Sequence, residues 1–276
     1  MKSYSFILIL LLLWGIGLYA VIHFDKNDER ILRVGVECDY APQNWEENKE
    51  TDSNVPLSNK NGFYAEGYDV QIAKIVAKSI GAKLEVKRIE WGKLLPALNE
   101  NEIDAIFSSM LDTEERKKVA DFSTSYELRK TIYTLVLNKN SKYSNGKKLS
   151  DFSGAKIIGQ AGSNLDAVID QIPGVIHAEP VADMTVMIEE VLTNDIDGFV
   201  IDLDTGQTCV EHHPELVQVE FPEGDGCKLG YTGVCAAVRK SDRQLLSEIN
   251  VAIDKITLDE RMRVMDEVII RERDNT

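Results

Sequence analysis

Two stretches of the chain run in step: Asn101-Glu102-Ile103-Asp104-Ala105-Ile106-Phe107-Ser108-Ser109 and Asn194-Asp195-Ile196-Asp197-Gly198-Phe199-Val200-Ile201-Asp202. Each follows a segment with helical apolar spacing and becomes a short apolar run of the kind that makes a buried strand. Each delivers a polar residue at the same offset, Ser109 in one and Asp202 in the other. Ile-Asp followed by small and apolar residues is also ordinary helix-to-strand chemistry, so the echo gains meaning from what surrounds it. Before both copies, strand and helix patterns alternate, which implies an α/β architecture with a mostly parallel sheet. A chain of 276 residues has room for two such units, because single cores tend to stop growing near that size. Two similar α/β lobes with polar groups at their strand ends describe a ligand cleft between domains.

In the first unit, Ile31 to Val36 reads as a strand and runs into the polar, aromatic loop Glu37-Cys38-Asp39-Tyr40-Ala41-Pro42. Gln43 to Tyr64 has little periodicity and reads as a long surface excursion, with Trp45 either packed on the body or lining a cleft. Gly67-Tyr68-Asp69 opens a helix whose core face is Val70, Ala73, Val76, Ala77 and Ile80, and Gly81 closes it. A strand over Lys83 to Ile89 and a helix face of Leu94, Leu95 and Leu98 lead into the first copy of the echo. The second unit holds an alternating strand from Thr131 to Leu137, a strand over Ala155 to Ile158, and the turn Gly159-Gln160-Ala161-Gly162-Ser163-Asn164. A helix, a strand within Gly174 to Val181, and a helix over Met184 to Leu192 bring the chain to the second copy. Two further helices, Asp242 to Ile256 and Leu258 to Ile270, are expected to return to the first unit.

Thr113 suits a helix N-cap, with Glu114 and Glu115 where the dipole favours anions and Arg116 where it disfavours a cation. A guanidinium beside unpaired backbone N–H groups is a receptor for a carboxylate, which it grips with a bidentate fork. The alternative is an ordinary ion pair of Arg116 with Asp112, worth little at a surface. The glycine turn before Asn164 has the same anion-binding character.

The formal net charge of −15 argues against nucleic acid as a partner. Neither a nucleophile set nor a metal motif emerges, because His23, His177, His212 and His213 lack ligand spacing and partners. No cofactor is expected. Phe6 to Ile22 is an unbroken apolar run, read as a secretory signal or uncleaved anchor within residues 1–24, which would put the protein outside the cytoplasm. Export permits a disulfide, for which Cys209 and Cys227 are the candidate pair, but four cysteines are too few for a scaffold and most are expected to be small buried hydrophobes.

The motifs V-G-V-E-C-D-Y-A-P from Val34, G-Y-D-V-Q-I-A from Gly67 and L-P-A-L-N-E-N-E-I-D-A-I from Leu95 together resemble a known family. T-E-E-R-K-K-V-A-D-F-S from Thr113, G-Q-A-G-S-N from Gly159 and I-D-G-F-V-I-D from Ile196 continue the resemblance, which spans Leu32 to about Ile270. The family is that of the extracellular solute-binding proteins, family 3, the polar amino-acid-binding components of ABC importers. The resemblance implies a two-lobed periplasmic-binding-protein-like fold of type II, with two mixed sheets flanked by helices and a hinge of two crossovers near Glu127–Lys130 and Lys228–Thr232. Lobe 1 would be 30–127 plus 231–273 and lobe 2 would be 128–230.

By the same resemblance, Arg116 would hold the α-carboxylate of a free amino acid, helped by backbone N–H groups near Leu111, Ser163 and Asn164. Asp202 and Ser109 would hold its α-ammonium, and Tyr40 and Trp91 would sandwich its side chain. Glu37 would meet a cationic tip such as that of arginine or lysine, with Glu66 adding to the field, or it would be solvated or paired with a neighbouring lysine in a pocket that prefers a neutral polar side chain. Leu111 stands where several relatives carry Ser or Thr, which shifts the ammonium further onto Asp202. The partners implied are a free amino acid and a membrane permease, and the protein would act as a monomer by closing on its ligand. Two other readings are a dehydratase on the same fold, with Glu37 and Glu66 as acid and base, and the sensor domain of a receptor.

Overall fold

Two five-stranded sheets of matching design carry the chain, and the computed structural model describes residues 29–127, 132–222, 225–228 and 233–274. The N-terminal apolar run and most of the expected hinge segments lie outside the described residues. In the first sheet the spatial order is Lys83–Arg88, Ile31–Val36, Ala105–Ile106, Cys235–Val238, Asp121–Ser125. In the second it is Ile176–His177, Lys156–Ile158, Gly198–Asp202, Tyr133–Asn138, Leu216–Val219. Each has a parallel pair at its heart, Val34 opposite Ala105 in one and Ile157 opposite Gly198 in the other. Each then continues with antiparallel neighbours. The sheets are therefore mixed, and the mostly parallel sheet expected from the strand–helix alternation is corrected by these returning strands.

The echo in the sequence is one structural device used twice. Asn101 and Asn194 both take the left-handed conformation, with φ of 63° and 65°, and stop the helices Leu94–Asn99 and Met184–Leu192. Asparagine tolerates that conformation better than other non-glycine residues do. The aspartate that follows then pins the parallel strand beside it. Asp104 N–H donates to Arg33 O at 2.7 Å, and Arg33 N–H returns to Asp104 Oδ2 at 3.1 Å. Asp197 N–H donates to Lys156 O at 2.9 Å, and Lys156 N–H returns to Asp197 Oδ2 at 2.9 Å. Asp104 also grips the Arg33 guanidinium through Nε at 2.9 Å and Nη2 at 2.6 Å, and accepts from Arg239 Nη2 at 3.0 Å.

Each sheet buries its own core. Val34, Val36, Ile72, Val76 and Phe107 form the first, joined by Ile249, Ile253, Val264 and Val268 of the two final helices, Arg243–Asp254 and Leu258–Asp274. Leu135, Ile157, Phe152, Phe199 and Ile201 form the second. Tyr133–Asn138, which alternates in sequence, is buried on every residue because it lies between two strands and under helices. Gly159 ends Lys156–Ile158 where a Cβ would collide with the backbone of Asp166, so only glycine lets the next helix approach the sheet there.

Some expectations fail locally. The Gln43–Tyr64 excursion is a small antiparallel sheet in the order Asp39–Tyr40, Asn44–Glu47, Tyr64–Glu66, Val55–Pro56. Trp45 packs partly buried against the first core. No helix starts at Thr113: Arg116–Lys118 is a single 3-10 turn, with Thr113 Oγ1 accepting from Arg116 N at 3.3 Å. All four cysteines are free thiols, so the Cys209–Cys227 pair is not formed, and burial raises the thiol of Cys209 to about 12. Among the described residues no helix is long and apolar enough to cross a membrane.

Asp104→Ala would leave Arg33 N–H without its acceptor and remove the carboxylate shared by the Arg33 and Arg239 guanidinium groups. The expected loss of stability is about 2–4 kcal/mol, measured by urea unfolding. A loss below about 0.5 kcal/mol, the usual scale of surface changes, would show that the pin is not structural.

Candidate functional site

One cavity opens where the two sheets present their strand ends and loops. Glu37, Tyr40, Trp91, Ser109, Leu111 and Arg116 line it from the first half, and Ser163, Asn164 and Asp202 from the second. Glu66 does not. It is buried at the end of the strand Tyr64–Glu66 in the small sheet, where Ser53 and Gln71 donate to it, and Arg271 Nε lies 3.5 Å from Oε2.

Arg116 is 8% exposed, yet no described carboxylate pairs with it. Asp112 Oδ2 is paired with Lys117 at 2.9 Å instead. The guanidinium donates to Leu111 O at 2.9 Å and to Gly162 O at 3.4 Å, and lies 5.0 Å from the Trp91 ring centroid. Burial holds its pKa below the ordinary value, but an arginine stays charged in proteins. A buried cation whose protein contacts are carbonyl dipoles and a ring face is suited to receive an anion. The N–H groups of Leu111 and Asn164 have no acceptor among the described residues. Ser163 spends its hydroxyl on the local turn, donating to Gln160 O at 2.7 Å and capping the short helix Asn164–Ala167.

Asp202 is the complementary group. Its Oδ1 caps the helix Leu203–His212, accepting from Asp204 N and Thr205 N at 3.1 Å each. Its Oδ2 accepts from Tyr40 OH at 2.5 Å, a bond that joins the two halves. Burial and the Asp202 charge push the Tyr40 phenol well above its ordinary pKa, so it stays a donor. No described cation pairs with Asp202. Ser109 donates to the buried Asp69 at 3.0 Å and so offers only lone pairs to a second donor. Asp69 also accepts from Tyr126 OH at 2.6 Å and Asn44 Nδ2 at 2.7 Å, while burial raises its pKa to about 6.

Glu37 is 4% exposed and accepts from Gln160 Nε2, another bond across the cavity. Burial first, then the Asp39 charge, raises its carboxyl to about 8, against the Gln160 hydrogen bond. Thr185 Oγ1 adds a further bridge to Asp39 Oδ1 at 3.0 Å. Tyr40 and Trp91 both line the cavity, where Arg116 lies over the Trp91 ring and the Tyr40 hydroxyl reaches Asp202.

Sequence reasoning missed Gln160, Asp69, Tyr126 and Tyr133. Gln160, Tyr126 and Tyr133 line the cavity, and Asp69 holds Ser109 and Tyr126 from behind. The G-Y-D and G-Q-A-G runs held two of them, but their partners lie far along the chain. Two of the four histidines expected to lack partners have them, and His23 lies outside the described residues. His177 bridges Asp166 and Asp170 at 2.8 Å each, and His212 lies 3.0 Å from Glu272. No group of His, Cys, Asp and Glu among the described residues could hold a metal.

Residues 32–267 match the family described as bacterial extracellular solute-binding proteins, family 3. A probable histidine-binding protein of Campylobacter jejuni is 27% identical over 236 residues, covering 85% of this chain and 83% of that protein. An arginine-binding extracellular protein of Bacillus subtilis is 26% identical, covering 84% of this chain and 82% of that one. The arginine-bound form of truncated ArgBP from T. maritima superposes with a TM-score of 0.67 at 29% identity, over 82% of this chain and 96% of that one.

The position of Glu37 makes a pH-dependent prediction for the ligand-free protein. A carboxyl with a folded pKa near 8 stabilises the fold fully below its unfolded value of about 4.3 and loses that contribution as pH rises through 8. Glu37→Gln cannot ionise. Its Tm is expected to match wild type near pH 4 and exceed it increasingly toward pH 8 in thermal unfolding. A difference that does not change with pH would contradict the burial of an ionisable Glu37.

Proposed function

The chain belongs to family 3 of the bacterial extracellular solute-binding proteins, and from that premise we propose that it captures a free α-amino acid between its halves and hands it to the membrane permease of an ABC importer. The observation that carries the reading is Arg116, a buried guanidinium with no described carboxylate partner in a cavity that also holds Asp202. A zwitterion supplies both missing charges. Its carboxylate takes the Arg116 fork and the N–H groups of Leu111 and Asn164, and its ammonium takes Asp202 and the Ser109 lone pairs. Each ion is buried with its partner, and such a pair is strong only when both members are present.

The halves act as lobes, 30–127 plus 231–273 against 128–230, hinged at the crossovers near Glu127–Lys130 and Lys228–Thr232. Closure makes the bonds Tyr40–Asp202, Gln160–Glu37 and Thr185–Asp39 and removes the ligand from water. The acting unit in this reading is a monomer. The run Phe6 to Ile22 exports or anchors the protein, and the closed form docks on the permease.

For the side chain we propose a cationic amino acid, arginine or lysine. Glu37 is a buried acid beside the negative fields of Asp39 and Asp183, which a cation would relieve. Relatives named for arginine binding agree with that side chain, while others are named for cystine and glutamine binding. The dehydratase alternative needed Glu66 as a partner for Glu37, and Glu66 is committed to Ser53, Gln71 and Arg271 away from the cavity.

Calorimetry with the cationic amino acids tests the assignment. Arg116→Ala is expected to lose at least about 30-fold in affinity, on the order of 2 kcal/mol or more, while thermal unfolding shows it folded. Asp202→Asn keeps the shape and removes the charge, and a loss of at least about tenfold is expected. Unchanged affinity in the folded Arg116 variant would remove the carboxylate assignment. Unchanged affinity in the Asp202 variant would remove the ammonium assignment.

A further inference from the structure

Glu37 is 4% exposed in the cavity wall, and no described cation forms an ion pair with it. Its carboxyl accepts from the neutral amide of Gln160, and its backbone N–H donates to Ser108 Oγ at 3.0 Å. Two further acids act on it from opposite halves. Asp39 follows on the same loop, where Thr185 Oγ1 donates to it at 3.0 Å. Asp183 precedes the helix Met184–Leu192 and makes no side-chain capping bond to it. Arg88 works against these acids, but its guanidinium is paired with Glu46 at 3.0 Å. Cys38 and Tyr40 stand beside Glu37 as neutral groups, because burial above all keeps the thiol and the phenol protonated.

A carboxylate taken out of water needs a counter-ion, or the group keeps its proton. An amide N–H and an already paired guanidinium do not supply that counter-ion, and two neighbouring acids add repulsion. The surroundings therefore favour the neutral acid, in line with the rise of this carboxyl to about 8. A cationic side chain entering the cavity reverses the balance, since an opposite charge at contact favours the ionised form.

We propose that the cleft exchanges a proton for a cationic side chain: Glu37 is a neutral acid before the ligand enters and becomes the carboxylate that pairs with it. The O–H bond of Glu37 breaks, its electron pair stays on the carboxylate, and the proton passes to solvent. The inference rests on the amino-acid-capture reading and deepens it. Because a proton leaves as the ligand binds, affinity for a cationic amino acid rises with pH. A neutral amino acid leaves the Glu37 proton in place and gains nothing from the rise.

Calorimetry of L-lysine and L-arginine at pH 7, in buffers of different ionisation enthalpy, counts the protons exchanged. Wild type is expected to release roughly one proton per cationic ligand and to bind it at least about fivefold more tightly at pH 7 than at pH 6. In Glu37→Gln both effects are expected to vanish. Where that variant takes no ligand, infrared difference spectra decide. A protonated-carboxyl band that the ligand removes from wild type, and that free Glu37→Gln lacks, is expected. Binding without proton release, release undiminished in Glu37→Gln, or absence of that band overturns the proposal and leaves amino-acid capture standing. So does a wild type that takes only neutral amino acids. A wild type that takes no amino acid overturns both readings.

Discussion

A guanidinium buried without a described carboxylate partner is the constraint on which the rest of this molecule depends. Arg116 is surrounded by the carbonyls of Leu111 and Gly162 and the face of Trp91. These contacts hold its orientation and soften its desolvation without neutralising it. Gly162 belongs to the second half of the chain, so the guanidinium is held from both halves. In the proposed reading a ligand carboxylate completes the ion pair. Asp202 is the mirror case, an anion held by a helix N-terminus and a tyrosine hydroxyl with no described cation beside it.

The geometry that sets these charges in one cavity comes from a repeated local device. Asn101 and Asn194 stop a helix, Asp104 and Asp197 pin the neighbouring parallel strand, and the strand that follows carries its terminal polar residue to the cleft. Ser109 and Asp202 occupy matching places in the two halves but do different work. Ser109 is tied to the buried Asp69, while Asp202 caps a helix and reaches Tyr40. One half thus carries Arg116 in the cavity and the other carries the acidic Asp202.

What was legible in the sequence was whatever a short window encodes. The α/β alternation, the echo, and the glycine turn at Gly159 are local patterns. Family motifs picked out Arg116, Asp202 and the other cavity residues expected from them, all of which line one cavity. What stayed hidden depends on distant partners. Glu66 reads as a cleft acid until Arg271, in the last helix, is seen beside it. Asp69 reads as a helix-start acid until Tyr126 and Ser109 reach it. Gln160 looks like part of a turn until Glu37 arrives from another sheet. The helix expected at Thr113 failed because Lys117 N finds Thr113 O at 2.9 Å for one turn only, before the chain enters the strand Asp121–Ser125.

The central claim is that the ligand's own carboxylate fills the Arg116 receptor. Calorimetric titration of lysine against cadaverine, which keeps the ammonium-tipped chain and lacks the carboxylate, tests it most directly. The account predicts one-to-one binding of lysine and an affinity for cadaverine at least about 30-fold weaker, on the order of 2 kcal/mol. Equal affinity for the two would contradict it.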